Sequence, residues 1–377
     1  MKKKIAYLTG TRADFGIMTP VLTAINQSPT LNLQIYYTGM HLMKEYGQTS
    51  KIVKKAFPRS QALPAKFQLH EPNYLAIFFQ KCFTQLLGTF SQHRPDLILV
   101  MGDRAEMLCA ATAALYLHIP VAHVHGGERT STIDELARHA ITKLSHLHFV
   151  ATAQSALRIK KMGEQPWRVI QVGAPALDTI YQQALPSTFE VNQYLKLSTD
   201  QKFLLLTLHP ESQMREQAGQ HLEQAIKACL TFSLPLVIIY PNADEGGAQM
   251  IKVIKHYESH PLCIAFIHIP HLMFLAMIRD TQVWISNSSA GLIESSAFMT
   301  PVVNVGKRQL NREHDENVIN SSYEKQAIVK AIKTMIRKKQ LTPKMSIWGK
   351  GLASQKIVAV LEKLVIDDKL MNKQITY

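Results

Sequence analysis

Short runs of Leu, Ile and Val recur along the chain, each followed by a longer segment whose apolar residues fall at helical spacing. Strands that read as nearly continuous apolar runs are buried on both faces, which requires helices packed on each side of their sheet. The alternation therefore predicts a parallel α/β architecture. The expected strands are Ile5–Thr9, Leu33–Thr38, Leu97–Met101, Val121–Val124 and Leu147–Ala151, then Arg168–Val172, Phe203–Leu208, Leu236–Tyr240, Ile264–His268, Val283–Ser286 and Val302–Val305. Among the intervening segments, Ser131–Ser145 reads as an amphipathic helix. Ile133, Leu136, Ala137, Ala140, Ile141 and Leu144 share one side, with Asp134, Arg138 and Thr142 on the opposite face.

A chain of 377 residues, 46% of them hydrophobic, is long enough for two cores. The polar, Pro-containing stretch from about Asp178 to Gln201 precedes a fresh strand and reads as the boundary between two doubly wound domains, 1–177 and 178–353. Residues 354–377 follow as a C-terminal segment with a helix over Ser354 to Leu370, which in two-domain folds of this type can cross back to the first domain. The four cysteines, Cys82, Cys109, Cys229 and Cys263, form no CxxC pair, which argues against a disulfide scaffold or Cys-rich zinc module and fits a reducing cytoplasm. The basic head Lys2–Lys4 is followed by an apolar run only from Ile5 to Leu8, so neither a signal peptide nor a membrane span is expected. A formal charge of +14 favours an anionic partner. The basic residues are dispersed, however, with no aromatic-interleaved patch or zinc-finger spacing, and this disfavours nucleic acid.

Ligands of open parallel sheets collect at the carboxyl ends of the strands, and the informative motifs lie there. "TGTRADFG" (Thr9–Gly16) lacks the glycine spacing of a dinucleotide fingerprint. Either Arg12 and the helix N–H groups hold a phosphate, or Asp14 simply caps the helix. "WISNSSAGLIESS" (Trp284–Ser296) runs a strand into Asn287, Ser288, Ser289 and Gly291, small residues suited to a pyrophosphate; Glu294 follows, placed to accept from ribose hydroxyls. Plain Ser/Asn capping is the competing explanation. "LVMGDRAEM" places Asp103 after an apolar strand, as a cap or as an acid/base group, and "TLHPES" places His209 at another strand end. "HVHGGERT" (His123–Thr130) poses a metal-or-acid/base choice. His123 and His125 share a strand face, but the chain shows no HExxH and no other metal spacing. His125 and Glu128 flanking a Gly-Gly turn fit acid/base work better, followed by Asp134 and Arg138 as an i, i+4 pair.

Taken together, "GTRADFG", "TGMHL", "GDRAE", "HVHGGERTSTIDELARHAITKLSHLHF", "VGAPALD", "LHPES", "YPNADEGG", "NSSAGLIES" and "VNVGKRQLNR" occur in the order found in the hydrolysing UDP-N-acetylglucosamine 2-epimerases, a family that opens bacterial sialic- and legionaminic-acid biosynthesis. The chain resembles that family over about Ile5 to Ser321. The resemblance implies a GT-B fold, two Rossmann-like domains with an interdomain cleft. It also implies cleavage of a UDP-sugar without nicotinamide or metal, in a cytoplasmic homodimer. By motif, Asp103, Glu128 and Asp134 would be catalytic carboxylates, with His125 and His209 as further candidates. Arg12, Ser288 and Ser289 would hold the diphosphate, with Asn287 and Gly291 in the same loop, and Glu294 the ribose. Arg138, Arg308 and Arg312 would belong to the site, and His41 would line the cleft. Two positions depart from the pattern: some relatives carry Glu in place of His125, and a glycine is usual at Asn311. The substrate expected is UDP-N-acetylglucosamine, or its relative UDP-N,N′-diacetylbacillosamine. A non-hydrolysing epimerase, a GT-B glycosyltransferase and a binding protein without turnover are the alternatives, the last disfavoured by three carboxylates around an anion site.

Overall fold

The computed structural model describes residues 2–68, 71, 73–130, 134–241, 246–338 and 346–377. Two compact units emerge, one built on the chain up to Glu128 with 134–179 and 349–377, the other on Ile180–Trp348. The first contains β1 (Lys3–Thr9), β2 (Leu31–Tyr37), β3 (Gln61–Ala62), β4 (Leu97–Met101), β5 (Val121–Val124), β6 (Leu147–Val150) and β7 (Val169–Gln171). All pair in parallel, in the order β3-β2-β1-β4-β5-β6-β7. The second contains β8 (Leu204–Thr207), β9 (Leu236–Ile239), β10 (Cys263–Phe266), β11 (Val283–Ser286), β12 (Val302–Val305) and β13 (Val318–Ser321), parallel in the order β10-β9-β8-β11-β12-β13. Each order reverses direction once, between β1 and β4 and between β8 and β11. These are the switch points at which doubly wound sheets open a crevice. The fold is thus a pair of Rossmann-like units of the GT-B type.

The apolar runs explain the sheets. Leu97–Val100 in β4 and Leu204–Leu206 in β8 are wholly buried, as strands covered on both faces must be. Strand ends differ from the sequence reading by a residue or two. Two edge strands escaped it: β3 has only two residues, and β13 ("VINS") is too polar to read as an apolar run. The stretch read as a polar boundary is largely helical, over Pro175–Gln182 and Thr188–Leu195, the latter opened by a Ser187–Glu190 capping box. The C-terminal helix is not continuous either. It spans Ala353–Lys363, breaks at Leu364–Asp367, and resumes at Asp368–Met371, where the Asp367 side chain caps the Leu370 N–H. The segment belongs to the first unit: buried Asp178 accepts from the N–H groups of Ala353 and Ser354 at 2.9 and 2.6 Å, and Arg168 donates to the carbonyls of Lys369 and Leu370. No helix among the described residues is long and apolar enough to cross a membrane.

Candidate active site

The polar groups of the first unit gather after β4 and β5. The helix Asp134–Leu144 supplies the rest, and its buried face is more polar than the apolar spacing suggested. Arg138 and Thr142, on the face opposite the apolar residues, are buried, and so is Ile141, whereas Leu136 is 71% exposed; residues 131–133 of the expected helix lie outside the described residues. The inward face is polar because it serves a polar cluster. Arg138 Nη2 donates to Asp103 Oδ2, and its Nη1 lies 3.9 Å from Glu128 Oε2. Burial alone would lower the Arg138 pKa, but Asp103, Glu128 and Asp134 together outweigh it and raise the value. Its Nε and Nη1 have no hydrogen-bond partner among the described residues.

Glu128 in turn accepts from His125 Nδ1. A carboxylate offers only acceptors, so Nδ1 carries the hydrogen and the Nε2 lone pair of His125 remains for a proton. His125 adopts φ +61°, a conformation costly for a side chain with Cβ and typical of functional sites. Asp103, Arg138, Glu128 and His125 therefore form one continuous chain. His123 plays a different part. It is fully buried, its Nε2 donates to the Gly102 carbonyl at 2.8 Å, and its Nδ1 accepts from Thr142 Oγ1 at 3.2 Å. Burial pushes its pKa down to about 3, against the opposing pull of the Gly102 carbonyl. It is a neutral strut that shapes the Asp103 loop. Among the described residues no group of three or more His, Cys, Asp or Glu side chains could hold a metal ion.

The loop after β1 divides the sequence reading. The helix Arg12–Gln27 opens with a capping box in which the Asp14 carboxylate accepts from the N–H groups of Gly10 and Thr11 and from Thr9 Oγ1, while the Asp14 N–H donates to Thr11 Oγ1. Those backbone donors are occupied, so capping accounts for Asp14 and the anion-holding capacity rests on Arg12 itself. Arg12 is half-buried, burial lowers its pKa, and among the described residues no carboxylate pairs with it. His41 does not line a surface. It is fully buried, bridging Thr9 Oγ1 at 2.9 Å and Thr49 Oγ1 at 2.7 Å, and so braces the β1 loop.

In the second unit the motifs lie after β8, β11 and β12. The helical turn Ala290–Ile293 is only four residues long and continues as a 3₁₀ turn over Glu294–Ala297. The expected row of free N–H groups is mostly engaged internally: Asn287 N donates to Thr207 O, Ser288 N to Ser286 Oγ and Gly291 N to Ser288 O. Ser289 N–H has no partner among the described residues. Gly291 is a packing residue, since a Cβ there would lie 3.1 Å from Ser286 Cβ. Asn287, fully buried, ties loops together rather than facing outward; its Oδ1 accepts from His209 N and its Nδ2 donates to His209 O, both at 2.8 Å. Arg308 Nη1 reaches Asn287 O at 3.4 Å. Arg312 is buried over the Trp348 ring and donates to Gln309 Oε1. Glu294 is also buried, its Oε1 is 4.0 Å from His271 Nε2, and its Oε2 has no partner among the described residues. A buried, unsatisfied acceptor is costly, and a ligand hydroxyl would relieve that cost. Glu211 and Tyr323 escaped the sequence reading. Glu211 stood inside "LHPES" and could have been flagged beside His209, whereas Tyr323 follows an unrecognised strand and carried no signal.

Two doubly wound parallel sheets, with carboxylates, imidazole and arginine gathered after strand ends of one and a serine-rich turn after a strand of the other, have the architecture of GT-B enzymes that handle nucleotide-linked sugars. The chain belongs to the UDP-N-acetylglucosamine 2-epimerase family, whose model matches residues 23–362. It is 37% identical over 377 residues, 99% of each chain, to the UDP-N,N′-diacetylbacillosamine 2-epimerase (hydrolyzing) of Legionella pneumophila. It is 34% identical to the UDP-N-acetylglucosamine 2-epimerase of Neisseria meningitidis serogroup B, over 88% of this chain and 86% of that one. Among solved structures, a Neisseria meningitidis UDP-GlcNAc 2-epimerase bound to UDP-GlcNAc superposes with a TM-score of 0.79 at 20% identity, covering 96% of this chain and all of that one.

Proposed function

We propose that this chain is a hydrolysing nucleotide-sugar 2-epimerase, converting UDP-N-acetylglucosamine and water to N-acetylmannosamine and UDP. The observation that supports it most directly is the chain Asp103–Arg138–Glu128–His125 at the carboxyl ends of β4 and β5, buried except at the partly exposed Asp103. The C2–H of an N-acetyl amino sugar has no adjacent carbonyl, so its proton cannot leave first. The C1–O bond to UDP breaks ahead, with its electron pair departing on the diphosphate. The C2–H electrons then form a C1–C2 double bond. Cations at the diphosphate, Arg12 and Arg308 in this reading, meet the largest electrostatic demand, and one such donor is worth about 3–4 kcal/mol.

His125 Nε2, with Glu128 behind it to stabilise the imidazolium, serves as one proton-transfer group. Asp103 and Asp134 supply another, and Arg138 orients Asp103. Water then adds to C1 of the glycal, and a proton returns to C2 from the opposite face. Two distinct groups are required because the two faces of the ring are served separately. Glu294 accepts from the ribose hydroxyls, and Ser288 and Ser289 stand at the phosphates with His209. A second reading, the same reaction on UDP-N,N′-diacetylbacillosamine, is favoured by the full-length identity to the Legionella enzyme named for that substrate.

The test incubates the protein with each nucleotide sugar in D₂O and follows UDP and the released sugar by NMR. Stoichiometric UDP and a 2-epimerised sugar deuterated at C2 are expected. Return of an intact UDP-sugar would indicate a non-hydrolysing epimerase, and no reaction without an added acceptor would point to a glycosyltransferase. Asp103→Asn should lower UDP release by at least about 10²-fold with UDP binding retained. Unchanged turnover in that variant removes Asp103 from the mechanism.

A further inference from the structure

Three loops of the second unit carry the groups assigned above to the nucleotide: His209 after β8, Asn287–Ser289 after β11, and Arg308 after β12. His209 lies two residues beyond the end of β8 and Arg308 three beyond the end of β12, so sheet register alone does not place them. One hydrogen-bonded hub joins all three loops. Glu211 Oε1 accepts from Lys307 N at 2.9 Å, Arg308 N at 3.1 Å and Tyr323 Oη at 2.7 Å. Asn287 Nδ2, already bonded to His209 O, also reaches Tyr323 Oη at 3.3 Å. The backbone is shaped for this approach. Gly306, at φ +82°, precedes the two donating N–H groups, and a Cβ there would lie 2.5 Å from Glu211 Oε1 and collide with the Tyr323 ring.

We infer that Glu211 and Tyr323 are positioning residues for the nucleotide, which act through His209, Asn287 and Arg308 and set the affinity for the UDP moiety. The inference rests on the function proposed above. A packing role would be met by the Tyr323 ring alone, which stacks on His221 at 3.8 Å between centroids, only 3° from parallel. The hydroxyl serves no apolar contact; it reaches Glu211 and Asn287. Glu211 is likewise poorly explained by packing, because a nearly buried carboxylate that collects two backbone N–H groups and a phenol fixes the direction of a loop.

Tyr323→Phe separates the two roles, since it keeps the ring and removes only the oxygen. With UDP as the probe in calorimetry, the variant should bind about tenfold more weakly, the worth of one well-made hydrogen bond to a charged group. KM for the UDP-sugar should rise by a similar factor, with kcat within about threefold. Binding within twofold of wild type in a folded Tyr323→Phe protein overturns the inference. Should that variant fail to fold, Glu211 decides. Glu211→Gln keeps an oxygen for both N–H groups and should bind UDP within about threefold of wild type, while Glu211→Ala should lose about tenfold or more. Equal binding by the Gln and Ala variants overturns the inference. Wild-type protein with no affinity for UDP would instead refute the nucleotide-sugar reading itself.

Discussion

Arg138→Met removes the guanidinium that joins Asp103 to Glu128 and replaces it with a side chain of similar length and no charge. Arg138 and Glu128 are almost completely buried, with side chains 4% and 1% exposed. Removing one member of such a cluster leaves the others without compensation, which costs about 3–5 kcal/mol. Methionine fills most of the vacated volume, so the cavity contribution is small. For a folding unit of about 200 residues, each kcal/mol lowers the melting temperature by about 2–4 °C, which gives a fall of about 6–20 °C. Catalysis should suffer more than stability. Asp103 loses both its orientation and its charge partner, so UDP release should drop by about 10²–10³-fold, in line with the loss of a single preorganised donor. Arg138→Lys restores the charge without the planar fork and should recover melting better than turnover. Thermal melting and a coupled assay for released UDP read the two effects separately. A Met variant that melts within about 2 °C of wild type and keeps a tenth of its turnover would refute the reasoning, because the guanidinium would then hold nothing together.

Two further outcomes follow from the same cluster. His123 has a pKa of about 3 in the folded protein because burial disfavours its charged form. The unfolded chain therefore binds that proton first, and the stability His123 contributes is complete above about pH 6.5 and is lost as pH falls toward 3. Buried His148 is shifted in the same direction. The check is thus the difference in urea-unfolding stability between wild type and His123→Gln across pH 6.5 to 4, where the variant should have the shallower slope; equal slopes would remove His123 as a source. Gly127 has φ +76°, and a Cβ there would lie 2.6 Å from the Ser155 carbonyl oxygen, a backbone atom with little room to yield. Gly127→Ala should cost about 2–4 kcal/mol from left-handed strain plus overlap, seen as lowered melting and lost turnover with UDP affinity retained. Unchanged melting would show that the loop accommodates the methyl group.

The parallel sheets were legible because a strand covered on both faces has to be apolar throughout, and β4, β8 and β9 carry that signature in consecutive letters. β13 was not, since an edge strand with one side open tolerates Asn and Ser. The helix Asp134–Leu144 was located correctly and Ile141 does face inward, but the rule that apolar residues face inward misplaces Leu136. That rule assumes the inside is apolar. Here the helix covers a cluster of carboxylates and imidazoles, so its Arg138 and Thr142 are the complementary face, and Leu136 is the residue left outside. His41, expected at the cleft only by its motif's resemblance, instead has both ring nitrogens engaged by buried threonine hydroxyls.

What separates the legible part of the site from the rest is sequence distance. Asp103, His125, Glu128, His209 and Asn287 each stand within a few residues of an apolar strand, so strand and polar residue are read in one glance, and the sheet rule says where the strand must end. The residues that hold these groups in place do so from far along the chain: Arg138 reaches Asp103 across 35 positions and Tyr323 reaches Glu211 across 112. No local pattern encodes a bond of that kind, because its energy is realised only after the sheet of its own unit has brought the strand ends together. A strand-end acid or base therefore announces a candidate site, whereas its working geometry depends on partners visible only in the folded chain. Changing those partners, rather than the motif residues, is what separates a binding loop from a catalytic one here. A loss confined to UDP affinity in the Tyr323 variant and a loss centred on turnover in the Arg138 variant would assign the two clusters to different steps of one reaction.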